Sequence, residues 1–380
     1  MEIGYRVMNI KYLSNINYCI LFLFLSYLAL LSFHKPLWDV DMIYYIAISE
    51  STPELSNEEL FERTWSSVKA RASEEKFQEM CCVSEVNLGR YNDPDAARSR
   101  FPQFEVKLGY IWLIKGLSQF VSPMDATLVI SFVGSVAIAV ASALAFSTLP
   151  GLYRFLWVPC LLLLKLPDLA QHPLPDAITT GFFATAALCL LKRRIHYAIL
   201  LILLAVVIRP DQIFICMGFV AYLTLRGNKI YAVLAAAVAS VIFIAISRSV
   251  EHIGWWNQFY ASLVEKPVGL ANIHETFDIG IYLKTVFNSI GSVSTSTNWG
   301  GIAVLCLLIV VGAPRSLRLS QITAEQQFIL LMLASTIAHF VVFPAVTDRL
   351  YAPGLFSLLI FTPALLASRG VLADAKHEPS

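Results

Sequence analysis

Two carboxylates stand two residues apart in Trp38-Asp39-Val40-Asp41-Met42, shortly after an apolar run. Charges at the edge of a membrane are costly when idle. Such a pair can take a proton from an attacking hydroxyl or help to hold a divalent cation that neutralises phosphate. It can equally cap a helix, because aspartate ahead of an apolar stretch satisfies free backbone N–H groups. Three more motifs put ionisable residues at the edges of apolar runs: His172-Pro173-Leu174-Pro175-Asp176, Arg209-Pro210-Asp211 and Asp348-Arg349-Leu350-Tyr351. Asp176 suits an N-cap, and Arg209 with Asp211 suits a local ion pair. Arginine so placed also suits a phosphate, which its planar fork holds through paired hydrogen bonds.

The elements that must carry these motifs are membrane spans. Of 380 residues, 57% are apolar and 14% charged, against roughly 45–50% and about 25% in a soluble domain. Crossing the hydrocarbon takes about 20 largely apolar residues, and the runs at about 15–33, 126–147, 153–169, 176–191, 195–209, 211–226, 230–247, 299–313, 325–343 and 351–368 qualify as candidates. The expected fold is therefore all-α: a single polytopic membrane domain over 1–380 with about 10 transmembrane helices. Proline at 210 predicts a tight turn between the fifth and sixth spans. Two long polar segments, 34–125 and 248–298, exceed ordinary interhelix linkers and are expected to build a site. The first run lacks a small-x-small cleavage site and is expected to stay as a span.

The stretch 106–121 decides the topology. Laid along the outer interface as an amphipathic helix, with Lys107 and Lys115 in headgroups, it leaves Lys192, Arg193 and Arg194 on the cytoplasmic side. Arg6, Lys11, Arg154, Arg226, Lys229, Arg315, Arg318, Arg369 and Lys376 then share that side. Both termini are expected in the cytoplasm and the long segments outside, in the cytoplasmic (inner) membrane of a cell. Asp39, Asp41, Lys107, His172, Asp176, Arg209, Asp211, Asp348 and Arg349 fall in one outer plane, which suits a cleft for an anionic headgroup. A transporter would scatter ionisable residues at mid-membrane; here the expected spans contain almost none away from their edges, apart from Lys165 and His339 near their ends.

A net charge of +1 and the absence of a basic run with interleaved aromatics argue against nucleic acid as a partner. Five of the seven cysteines, Cys19, Cys160, Cys189, Cys216 and Cys306, lie in apolar runs and read as small hydrophobes. Cys81 and Cys82 are adjacent and are not expected to pair. No Cys/His spacing predicts a structural metal.

The order of elements resembles the GT-C superfamily of membrane glycosyltransferases, of the mannosyl- or arabinosyltransferase kind. Asp39-Val40-Asp41 is similar to that family's acidic motif in the first outer loop. The segment Phe104 to Ile114 resembles its Lys-Pro-Pro-Leu-type juxtamembrane helix, with Leu108-Gly109 in place of the prolines. Leu174-Pro175-Asp176 resembles the aspartate that opens a later span, and Asp348-Arg349-Leu350-Tyr351-Ala352-Pro353 its Arg-x-x-x-Pro entry to a late span. The large soluble C-terminal domain of many members of that superfamily is not expected here, so acceptor recognition is expected to fall to the loops.

The resemblance implies transfer of a hexosyl or pentosyl group from a polyprenyl-phosphate donor to an extracytoplasmic glycan, lipid or protein, as in cell-envelope polysaccharide biosynthesis. Asp39 or Asp41 would be the base, with Asp39 slightly preferred. Lys107, Arg209 and Arg349 would hold the phosphate, supported by His172, Asp176, Asp211 and Asp348. If the reaction uses a divalent cation, Mg or Mn, Asp39 and Asp41 are its expected ligands. The alternatives are a polysaccharide polymerase or ligase, a non-enzymatic lipid-linked glycan flippase or transporter, and a purely structural membrane subunit.

Overall fold

The computed structural model describes residues 2–250, 252–271, 273–298, 301–302 and 322–368. Its regular elements are all helical, with no strand among the described residues. Five helices are long and apolar enough to cross a membrane: Asn15–His34, Pro123–Phe146, Lys229–Ser249, Ala324–Val342 and Asp348–Ala367. The expected segments at 176–191, 195–209 and 211–226 are apolar helices below that length. Most of 299–313 lies outside the described residues.

The expected span at 153–169 is not one helix. A 3-10 turn at Gly151–Phe155 leads into short helices Trp157–Leu163 and Leu166–Gln171. Lys165 between them takes a left-handed backbone, φ 55°, and Pro167 in the next turn has no N–H to continue a ladder.

The helices that position the charged motifs are α1 (Glu2–His34), α2 (Val40–Glu50), α3 (Asn57–Arg71), α4 (Glu74–Cys81), α5 (Glu85–Asn92), α6 (Pro94–Arg98), α7 (Phe101–Glu105), α8 (Leu108–Leu117) and α9 (Pro123–Phe146). After the broken pair α10 (Trp157–Leu163) and α11 (Leu166–Gln171) come α12 (Asp176–Leu191), α13 (Ile195–Ile208), α14 (Ile213–Leu225), α15 (Lys229–Ser249), α16 (Trp255–Leu263), α17 (Ile279–Ser296), α18 (Ala324–Val342) and α19 (Asp348–Ser368).

Helix α12 is central, packed against α9, α13 and α19. It approaches α9 closely because both carry glycine at the crossing: a Cβ on Gly181 would sit 2.7 Å from the Gly134 carbonyl oxygen. Where lipid removes the hydrophobic drive between helices, small residues at the contact supply the packing. Likewise a Cβ on Gly354 of α19 would collide with the Thr336 hydroxyl of α18. These two contacts fix the starts of α12 and α19, where Asp176 and Arg349 stand.

The first long polar segment has a core of its own, in which Tyr45 meets Phe104 and Tyr110 edge to face, at 5.3 and 5.0 Å. Helix α8 buries Tyr110, Ile111 and Ile114 and exposes Trp112 and Leu113, as an interfacial helix does. The Tyr110 hydroxyl donates to the Pro173 carbonyl, 3.0 Å, tying this segment to the start of α12. Lys107 departs from its expected place in headgroups: it precedes α8 and turns inward over the Tyr45 and Phe104 rings. The second long polar segment is clasped to the first by Arg90 and Arg100, which both donate to the Pro267 carbonyl, at 2.8 and 3.0 Å. Cys81 and Cys82, not expected to pair, form a disulfide where α4 ends and the chain turns.

Candidate active site

The membrane-edge motifs converge. Asp39 caps α2, accepting from the Asp41 backbone N–H at 2.9 Å, so the capping reading of this residue holds. Its other oxygen accepts from Arg349 Nη1 at 2.6 Å. Arg349 Nη2 lies 3.6 Å from Asp41 Oδ2, so one guanidinium spans both carboxylates.

Asp176 is not a cap: the residue before it is Pro175, and no side-chain capping bond forms. It accepts instead from Arg209 Nη1. Arg209 also grips Asp211 with Nε at 3.1 Å and Nη2 at 2.7 Å, so all three of its nitrogens are engaged. Arg209 and Asp176 are only 4% and 3% exposed. The 3-10 turn Pro210–Gln212, the tight turn the sequence predicts, folds Asp211 back onto Arg209. Gln212 Nε2 braces the turn by donating to the Leu350 carbonyl at 3.2 Å. His339 Nε2 stands 3.9 Å from Asp211, its ring stacked on Phe214.

Asp41, Lys107, Asp176, Arg209, Asp211 and Arg349 line one cavity of about 560 Å³. Ile213, Phe214, Phe243 and Val342 give it an apolar flank. Asp39 stands behind Arg349 and does not line it. His172 and Asp348 open instead onto a neighbouring pocket of about 200 Å³, where Lys165 pairs with Asp348 at 2.7 Å. Arg349 and Thr347 border both spaces. The cavity also takes in Tyr45, Arg100, Gln103, Phe104, His252 and Gln258, which the sequence did not single out for chemistry. Arg100 and Gln103 sit in a polar stretch where burial leaves no sequence signal. Gln258 falls within an aromatic cluster legible only as interface-seeking.

The two aspartates are pushed apart electrostatically. Burial raises both, but the Arg349 charge and the bond from the Asp41 N–H bring Asp39 below the usual aspartate value. Burial and the Asp39 charge leave Asp41 above it. Burial, then the charge of Arg209, lowers Lys107. Its Nζ lies 5.3 and 5.4 Å from the Tyr45 and Phe104 ring centres, and no carboxylate pairs with it among the described residues. Burial and the nearby Arg90 charge lower Arg100 to about 10, so it stays charged at neutral pH.

A divalent cation does not fit Asp39 and Asp41 as they stand. The Arg349 guanidinium occupies the space between them, and no group of three or more metal-ligating side chains forms among the described residues. Comparison of the chain with family models, with curated proteins and with solved structures gives no match.

Proposed function

We propose that this chain is a GT-C-like membrane glycosyltransferase that moves a sugar from a polyprenyl-phosphate donor to an acceptor on the non-cytoplasmic side. The observation that carries the reading is Lys107, a partly buried cation with no ion-pair partner among the described residues, lining the same cavity as Asp41. A buried charge is stable when compensated, and a phosphate supplies the compensation. The apolar flank of Ile213, Phe214, Phe243 and Val342 suits the first isoprene units of a carrier lying in the bilayer.

The roles follow from which hydrogen-bonding groups are still free. Each nitrogen of Arg209 already donates to Asp176 or Asp211, so it positions those two carboxylates, and a fork onto phosphate would compete with them. Lys107 and Arg100 are the phosphate ligands. Asp41, which lines the cavity, is the base in preference to Asp39, which is capped and clamped. In the reaction Asp41 accepts the acceptor's hydroxyl proton as that oxygen bonds to the anomeric carbon. The bond from the anomeric carbon to the phosphate oxygen breaks, and Lys107 and Arg100 meet the charge that develops on the departing polyprenyl phosphate. A single displacement of this kind inverts the anomeric centre.

Transfer of radiolabelled sugar from polyprenyl-phosphate donors in membranes tests the proposal. Asp41→Asn is expected to lower transfer at least about 100-fold, within the usual range for loss of a general base, and Asp39→Asn less. Unchanged transfer by well-expressed Asp41→Asn and Lys107→Met variants overturns it. Binding of the glycosylated carrier without any transfer by the wild type favours the flippase alternative.

A further inference from the structure

The charges leave part of the cavity unexplained. Gln103 Nε2 and Gln258 Oε1 are both shielded from solvent and lack a hydrogen-bond partner among the described residues. Unpaired buried amide atoms are expensive, and a native structure keeps them for a reason.

Both side chains are held by their other ends. Gln103 Oε1 accepts from Arg100 Nη2 at 2.8 Å, which fixes Nε2 as a free donor. Gln258 Nε2 donates to Ser262 Oγ at 3.1 Å, which leaves Oε1 as a free acceptor. The donor belongs to the first long polar segment and the acceptor to the second, and the bond from Arg100 to Pro267 joins those segments. Tyr45 and Phe104, ring centres 5.3 Å apart and nearly perpendicular, present aromatic surface to the same cavity.

A neutral donor, a neutral acceptor and aromatic faces do not match a second anion. They match a polyol, whose hydroxyls both give and accept hydrogen bonds and whose C–H faces pack on rings. We infer that Gln103 and Gln258 bind the hydroxyls of the donor's sugar, so that the two long polar segments together select it. This inference rests on the glycosyltransferase reading and adds the residues that discriminate among sugars.

The test compares binding of bare polyprenyl phosphate with binding of its mannose, glucose and arabinose esters, using the full chain in nanodiscs. The wild type is expected to hold one glycosylated carrier more tightly than the bare one. Gln103→Leu and Gln258→Leu are each expected to erase about tenfold of that margin, the loss of one hydrogen bond to a buried group. In Gln258→Leu affinity for the bare carrier, which also reports that the variant folds, should not change; Gln103→Leu also frees Arg100 Nη2, so for it the readout is the margin between glycosylated and bare carriers. An intact margin in both variants, equal weakening of both kinds of probe, or a wild type that binds bare and glycosylated carriers alike overturns the inference alone. Failure of the wild type to bind even the bare carrier overturns the glycosyltransferase reading and this inference with it.

Discussion

Removing Arg209 and removing its partner Asp176 should have unequal effects, in an order the bonding dictates. In Asp176→Asn the guanidinium keeps both bonds to Asp211 and loses one charge-assisted contact. Hydrogen bonds to charged groups contribute about 1.5–3 kcal/mol. In Arg209→Met two carboxylates lose their cation at once, and Asp176 is left 3% exposed with no other salt-bridge partner among the described residues. Breaking a buried pair in this way costs about 3–5 kcal/mol. Replacing the whole cluster, Arg209→Met with Asp176→Leu and Asp211→Leu, should recover much of the loss, because an apolar set of similar volume needs no compensation.

At about 2 °C per kcal/mol, the low end of the range for larger domains, the melting midpoint in detergent should fall by about 6–10 °C for Arg209→Met. For Asp176→Asn the fall should be about 3–6 °C on the same scale. Midpoints read by size-exclusion of heated, detergent-solubilised protein give the ranking directly. An Arg209→Met midpoint equal to the wild type's, or above that of Asp176→Asn, would refute the claim that the guanidinium is the hub of a buried network.

Three further outcomes are expected. Lys107→Met should weaken binding of bare polyprenyl phosphate by about tenfold or more, the scale of one charge-assisted contact, while leaving the melting midpoint within about 1 °C; a midpoint loss like that of Arg209→Met would make Lys107 structural. Transfer activity should fall on acidification through a pKa above the ordinary aspartate value of 3.8, because Asp41 must be ionised to act and its pKa is raised. Arg349→Gln, by removing a cation that lowers that pKa, should move the acid limb to higher pH; a limb that stays put or moves down counts against Asp41 as base. Gly134→Val should lower both midpoint and activity, because its side chain must push α12 from α9 and carry Asp176 with it; a fully active variant would show that the helix contact does not position the site.

The residues legible in the sequence share one property: they are ionisable and stand at the edge of an apolar run. Asp39, Asp41, Asp176, Arg209, Asp211 and Arg349 all meet it, and the fold brings them into two adjoining ion-pair clusters. Arg100 does not meet it. Its burial comes from a bond to Pro267, 167 residues away, a contact that no local pattern encodes. The break at Lys165 was illegible for another reason, since hydropathy averages over side chains and says nothing of φ. The sequence places Lys107 among headgroups because an amphipathic pattern gives the face of a helix but not the direction of the residue just before it. The five membrane-capable helices stand out through length and composition, whereas the intervening helices fall short of span length by a few residues.

Charged residues of the same kinds thus serve two purposes, and their remaining hydrogen-bonding capacity separates them. Each nitrogen of Arg209 already donates to a carboxylate of its own chain, so its charge is compensated before any ligand arrives. The Nε of Arg100 lacks a partner and Lys107 has no carboxylate at salt-bridge distance among the described residues, so a phosphate placed there gains contacts at no expense to the fold. Binding energy is then confined to groups the empty protein does not use. On the proposed reading the buried Asp176–Arg209–Asp211 cluster can stay fixed while a donor binds and leaves, which is the preorganisation that electrostatic stabilisation of a leaving group requires.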